Sequence, residues 1–205
     1  SESMPLQSTS FPNLSIEGAF SPTAVYSYYD VNSLTTYAYN RGVRIVPELD
    51  MPTHNYAYKR SQPELFTNCS ETWEETFLNK DSFDPTLNET YSFISTLLAE
   101  VSTLFPDRYL HLGGDEFNGD CWSTTPRIKE FMSRSNMTVD DVFRSFEERV
   151  YEIGAELGKT VVYWDEVFES GAIVRDSIVQ TWRNGTMERA LAAKMKVINS
   201  FGYYL

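Results

Sequence analysis

Residues 109–116 read Tyr-Leu-His-Leu-Gly-Gly-Asp-Glu, an apolar run that stops on two glycines and two adjacent carboxylates. Four to five apolar-rich residues closed by glycine predict a short buried strand. Upstream, Asp84-Pro85 is read as the cap of a helix, with apolar residues at 87, 91, 94, 97, 98, 101 and 104, ended by Pro106. Downstream, Thr125-Pro126 opens a short helix with Ile128, Phe131 and Met132. Thr138-Val-Asp-Asp141 resembles a capping box before a helix with Val142, Phe143, Phe146, Val150, Ile153 and Leu157 on one face, stopped by Gly158. Strands are then predicted at Thr160–Trp164, Ser177–Trp182 and Lys196–Ser200, with a helix from Met187 to Lys194 between the last two. Before the decisive stretch, a helix capped by Asp30 and stopped by Gly42 leads to a buried strand at Val43–Leu49. Residues 1–27 and 51–83 are read as long loops.

Strand and helix alternate along the chain, which argues an α/β fold with a parallel sheet. Strands tipped by Glu48, Asp115, Trp164 and Trp182 point to a (β/α) barrel, whose chemistry sits at the C-terminal strand ends. A doubly wound sheet is the alternative. It usually carries a glycine-rich phosphate turn after its first strand, and neither G-x-G-x-x-G nor a Walker motif occurs here. Five strands are too few to close a barrel of eight, so the expected architecture is a partial (β/α)8 TIM barrel.

Composition narrows the function. With 17 basic against 29 acidic residues the chain carries −12, so a nucleic-acid partner is not expected. No run approaches the ~18 apolar residues of a membrane helix. Hydrophobic residues make up 41%, enough for a core. Aromatic residues reach 15%, which hints at sugar faces stacking on rings, although most aromatics fill cores. Five N-x-Ser/Thr sequons, at Asn13, Asn68, Asn88, Asn136 and Asn184, suggest a glycosylated protein of the secretory pathway. In such a compartment Cys69 and Cys121 are better read as one disulfide than as a zinc site. No signal peptide is recognised at the N-terminus, so the chain is expected to begin inside a longer precursor.

The sharpest chemical feature is Asp115-Glu116 after Gly113-Gly114. Two carboxylates in a desolvated cleft do not ionise equally, and the one that keeps its proton can serve as a general acid, as glycosidic cleavage requires. The pairs Asp140-Asp141, Glu74-Glu75 and Glu147-Glu148 are read as solvated acidic turns. His54, in the loop after the first strand, could donate to a substrate hydroxyl. Trp164 and Trp182, with Tyr203-Tyr204 after the last strand, look like sugar-stacking walls.

The stretch His111-Leu-Gly-Gly-Asp-Glu116 resembles the signature of family-20 glycoside hydrolases, the β-N-acetylhexosaminidases. Arg41-Gly-Val-Arg-Ile-Val-Pro-Glu-Leu-Asp-Met-Pro-Thr-His54 resembles a second family segment, with Thr53 where the family usually has Gly. Tyr163-Trp-Asp-Glu-Val-Phe168 is similar to a third, with Asp165 in place of Gln, and Val179-Gln-Thr-Trp-Arg183 also fits. The likeness covers nearly the whole chain and lies nearest the eukaryotic lysosomal or secreted type. It implies that residues 1–205 form an incomplete catalytic (β/α)-barrel domain that hydrolyses terminal N-acetylglucosamine or N-acetylgalactosamine by a substrate-assisted retaining mechanism, without cofactor or metal. It implies Glu116 as general acid/base and Asp115 as the residue that orients the 2-acetamido group. It further implies Tyr204 as donor to the acetamido carbonyl, Trp164 and Trp182 as pocket walls, His54 in the substrate site, and Cys69–Cys121 as a loop disulfide. Glycans are the implied partners, and a homo- or heterodimer of the full-length protein stays open.

Two other readings compete. One is an inactive fragment or a sugar-binding pseudoenzyme of the same fold, poorly folded in isolation and exposing a crescent of strands. The other is a metal-dependent hydrolase using Glu48, Asp50, His54, His111 and Asp115.

Overall fold

The computed structural model describes residues 3–67, 82–172 and 176–203. Four parallel strands form one sheet in chain order: β1 (Tyr109–His111), β2 (Thr160–Trp164), β3 (Ile178–Thr181) and β4 (Lys196–Asn199). The register sets Leu110 against Val161, Val162 against Ile178 and Val179 against Val197. The strand order never reverses. A doubly wound sheet reverses at its switch point, whereas an arc of a (β/α) barrel keeps chain order, so the topology is that of a partial barrel.

The predicted strand at Val43–Leu49 is a correction. Only Glu48 bridges to β1, through His111 N–H donating to Pro47 O at 3.0 Å and Leu49 N–H donating to His111 O at 3.0 Å. Pro47 has no N–H to extend the ladder. Val43 and Val46 are 57% and 38% exposed, so no burial draws that half of the segment into the sheet. The segment nonetheless lies at the β1 edge and delivers Glu48, Asp50 and His54 to the same end of the sheet as Gly113.

The long helices follow from amphipathic spacing. In α4 (Asn88–Leu104), Tyr91, Ile94, Leu97, Leu98 and Val101 are buried as predicted. In α7 (Val139–Glu156), Val142, Phe143, Phe146 and Val150 are buried, while Ile153 and the capping Leu157 just past its end pack partly covered. These faces meet Leu110, Leu112, Val161 and Tyr163 of the sheet in one core. Each fully buried aliphatic side chain contributes roughly 1.5–3 kcal/mol. The capping box of α7 forms as read, with Thr138 Oγ1 accepting from Asp141 N–H and Asp141 Oδ2 accepting from Thr138 N–H.

Other boundaries shift. Of α1 (Asn13–Gly18) and α2 (Tyr28–Tyr39), the first is too short to show periodicity and lies inside a predicted loop. The second is capped by Ser27, with Asp30 as the third helical residue of the box. α3 (Tyr56–Ser61) and a 3-10 turn at Pro63–Leu65 interrupt the other predicted loop. Asp84 does not cap α4. Its Oδ1 accepts from Thr86 N–H at 2.8 Å, and Oδ2 accepts from Arg127 Nε at 3.0 Å. α5 (Asp120–Thr124) precedes the expected α6 (Pro126–Ser135). α8 (Asp165–Glu169), missed because it follows β2 without a gap, is succeeded by α9 (Thr186–Ala192). No described helix is long and apolar enough to cross a membrane.

Candidate active site

β1 ends at His111, and the chain turns sharply through Gly113 (φ 72°) and Gly114 (φ 93°), both left-handed. A Cβ on Gly113 would lie 1.7 Å from Asp50 Oδ1, so glycine is required both by φ and by space. Gly114 N–H donates to Asp50 Oδ1 at 3.1 Å. Behind the turn, Trp164 N–H donates to Gly113 O at 2.9 Å, which fastens it to β2.

The loop after Glu48 closes over this turn. Thr53, 1% exposed, donates from Oγ1 to the Asp115 carbonyl at 3.0 Å. His54 brings Nε2 to 3.0 Å from Glu116 Oε2 and 3.6 Å from Asp115 Oδ2. His54 and Glu116 both have left-handed backbones, at φ 54° and 52°. Non-glycine residues rarely adopt this conformation, which costs on the order of 1–3 kcal/mol each and persists where surrounding contacts hold it. The side chain of Asp115 is 20% exposed and that of Glu116 42%, so the pair is graded from covered to open. Asp115 Oδ1 is buried without a hydrogen-bond partner. Such an acceptor is costly unless a ligand donor meets it.

Burial, and then the neighbouring charge of Asp115, push the carboxyl of Asp50 up to about 9. Asp50 therefore holds a proton at neutral pH. His111 is driven the other way, its pKa lowered by burial against the opposing pull of Glu48 and Asp115. Its Nδ1 accepts from Gly113 N–H at 3.0 Å, which leaves the proton of the neutral ring on Nε2. One layer deeper, Glu147 on α7 is fully buried with neither carboxylate oxygen paired. Burial raises its pKa well above the ordinary value. Glu147 is thus a neutral acid inside the core, which corrects its reading as part of a solvated acidic turn.

Trp164 ends β2 and packs at 4.9 Å, tilted, against the His111 ring, with its indole N–H donating to Glu48 Oε1 at 2.9 Å. Trp182 follows β3 and donates to Glu166 Oε2 at 3.1 Å. Burial, and then a hydrogen bond with Asp165, raise Glu166 to about 7. Asp165 itself is fully buried, accepting from Arg183 Nε at 3.1 Å and Arg183 N–H at 3.2 Å. The two tryptophans therefore stand at the same C-terminal sheet edge as Asp115-Glu116, each oriented by a carboxylate.

Of the predicted site residues, His54, Asp115 and Glu116 converge directly, and Trp164 and Trp182 flank them along the edge. Tyr204 and Cys69 lie outside the described residues, as does Asn68. Cys121 is buried, with Sγ 2.9 Å from Thr67 Oγ1, and no described cysteine is free. Asn13, Asn88, Asn136 and Asn184 are all exposed. Sequence reasoning gave Asp50 a place only among candidate metal ligands and gave no supporting role to Glu166 and Glu147. A carboxylate at a strand end four residues before His54 was the available signal for Asp50. Of the five residues in the metal reading, Asp50, His54 and Asp115 bring ligand atoms within 4.8 Å of one another. Glu48 is instead turned to Trp164, and His111 Nδ1 is occupied by Gly113.

The catalytic-domain model of glycosyl hydrolase family 20 matches residues 1–205. The human beta-hexosaminidase subunit beta is 37% identical over 216 residues, which cover all of this chain and 38% of that protein. The mouse beta-hexosaminidase subunit alpha is 39% identical over 186 residues, covering 88% of this chain and 35% of that protein. Among solved structures, the Flavobacterium johnsoniae chitobiase superposes with a TM-score of 0.87 at 27% identity, covering 99% of this chain and 32% of that one. The chain thus spans less than two fifths of the length of these two curated relatives.

Proposed function

The chain belongs to glycosyl hydrolase family 20, and on that premise we propose that the protein carrying it removes terminal non-reducing N-acetylhexosamine residues from glycoconjugates. The observation that carries this reading is the grading of the two carboxylates. Asp115 is covered, backed by protonated Asp50, and offers a buried oxygen with no partner. Glu116 is more open, beside His54.

In the proposed reaction the unpaired Asp115 oxygen accepts from the acetamido N–H and turns the carbonyl oxygen toward C1. Glu116 gives its proton to the glycosidic oxygen as the C1–O bond breaks and the bond from carbonyl oxygen to C1 forms. The resulting oxazolinium carries positive charge, which the Asp115 carboxylate stabilises. Water then attacks C1 and passes a proton to Glu116, and the C1 bond to the acetamido oxygen breaks. Two inversions at C1 give overall retention. The substrate replaces the protein nucleophile of the two-carboxylate scheme, and its tethering lowers the barrier by proximity. Trp164 and Trp182 serve as the sugar-stacking walls, and Tyr204 as the donor to the acetamido carbonyl. Exposed sequons at Asn13, Asn88, Asn136 and Asn184, a Cys69–Cys121 disulfide and the mammalian relatives support a lysosomal or secreted glycoprotein. The relatives' description as subunits supports a homo- or heterodimer.

The test is turnover by the full-length protein of a methyl or disaccharide N-acetylhexosaminide and of a dinitrophenyl one. Glu116→Gln is expected to lose about 100-fold or more on the poor leaving group and far less on dinitrophenolate, which departs without a proton. Asp115→Asn is expected to lose activity on both. Equal losses for Glu116→Gln on the two substrates would contradict the acid assignment.

A further inference from the structure

We propose that Thr53 is a positioning residue for Glu116, acting through the peptide that joins it to Asp115; the proposal rests on the hydrolase reading above. Three contacts from the 50–54 loop hold the turn. Asp50 accepts from Gly114 N–H, Thr53 donates to the Asp115 carbonyl, and His54 meets the two carboxylates. Of these, Thr53 alone grips the backbone immediately before Glu116. The carbonyl it holds belongs to the peptide plane whose rotation changes φ of Glu116. That φ is 52°, a conformation that a glutamate leaves unless something restrains it. The hydroxyl is therefore a restraint that keeps the plane turned and the Glu116 carboxyl beside His54.

Releasing that plane falls on Glu116 more than on Asp115. The Asp115 side chain branches before the plane and is held independently, within 3.6 Å of His54 and against Asp50. Glu116 is the more exposed of the two, and its carboxylate meets His54, whose own left-handed backbone depends on the same loop. Thr53 is 1% exposed, so no solvent hydroxyl takes over its bond. Glycine at this position could not supply the donor. The departure noted at this position in the sequence is, on this account, a second anchor for the acid.

The experiment compares Thr53→Val, which keeps shape and removes the donor, with Thr53→Ser, which keeps the donor, in the full-length protein. Both are assayed on a methyl N-acetylglucosaminide and a dinitrophenyl one. Thr53→Val is expected to lower kcat about 10- to 100-fold on the methyl glycoside and less than about threefold on the dinitrophenyl one, with KM little changed. Thr53→Ser is expected to restore the methyl glycoside kcat to within about threefold of wild type. Should Thr53→Val not fold, Thr53→Ala, which adds no bulk, carries the same comparison. Equal losses on both substrates, or a loss that serine does not rescue, overturn the positioning role and leave a structural one. An unchanged kcat for Thr53→Val overturns it outright. Wild-type protein inactive on both glycosides overturns the hydrolase reading, and this proposal with it, and is told apart by needing no variant.

Discussion

His54 and Glu116 meet at 3.0 Å, and both hold left-handed backbones, φ 54° and 52°. Each belongs to a separate turn, and the turns are locked together by Thr53 on one side and Asp50 on the other. Two unfavourable conformations in direct contact mean that the site is preorganised by its surroundings rather than by local preference.

The proton on Asp50 predicts an unusual tolerance. Asparagine reproduces a neutral carboxyl, accepting from Gly114 N–H while donating towards Asp115. Asp50→Asn is therefore expected to lose less than about tenfold in kcat/KM at neutral pH, whereas Asp50→Leu removes the acceptor and loses 100-fold or more, a magnitude typical of misplaced catalytic groups. Because burial and Asp115 raise Asp50 to about 9, the wild-type rate should fall as pH rises through that value and Asp50 ionises beside Asp115. Asp50→Asn should lack that alkaline limb. A pH–rate profile with the limb intact in Asp50→Asn would assign it to another group.

Glu147 makes stability depend on pH in one direction. Its folded-state pKa is raised above the unfolded 4.5, so the folded state binds the proton more tightly than the unfolded chain. Its contribution is fully present below the unfolded pKa and is lost as pH rises from there towards the folded pKa. Glu147→Met removes a buried acid with no partner and is expected to stabilise by roughly 1–3 kcal/mol at pH 7.5. The variant's Tm should change less than wild type's between pH 5 and pH 7.5, by calorimetry. A variant less stable than wild type at pH 7.5 would show that Glu147 is paired.

Two glycines with similar backbone angles should behave differently. Gly113 has φ 72° and a Cβ there would meet Asp50 Oδ1 at 1.7 Å and the Asp50 Cα at 2.8 Å. Gly158, after α7, has φ 73° with nothing within 4 Å. Gly158→Ala is expected to cost about 1 kcal/mol, the left-handed penalty alone. Gly113→Ala is expected to cost several times more and to abolish activity, because Asp50 and its contact to Gly114 must move. Denaturant midpoints and turnover of the two variants, compared side by side, check this.

The proposed Cys69–Cys121 bridge closes a loop of ~50 residues, for which the chain-entropy model gives roughly 4 kcal/mol. Mass mapping of peptides digested without reduction should recover the two cysteines linked. Cys121→Ser is expected to lower stability by about 2–5 kcal/mol. Recovery of both as alkylated thiols would end the proposal.

What the sequence by itself determined was periodic or covalently local. The apolar spacing of α4 and α7, the Thr138–Asp141 box, β2 from Thr160 to Trp164, and the Asp115-Glu116 pair behind two glycines were all legible. Each is set by residues close in the chain, where propensity, capping and burial pattern agree. The tertiary structure decided the rest. Val43–Val46 looks like a buried strand, yet Val43 and Val46 are exposed and only Glu48 pairs, because a strand needs a neighbour and Pro47 denies one hydrogen bond. Glu147 beside Glu148 looks like a solvated pair, yet one is fully buried, since the helical turn of 100° per residue sends adjacent side chains in different directions. Asp50 in a loop carries no local sign of its proton. That depends on Asp115, 65 residues away along the chain and brought within a few ångströms by parallel pairing at β1. Protonation and donor geometry are set by desolvation and by charges that only the folded chain brings together.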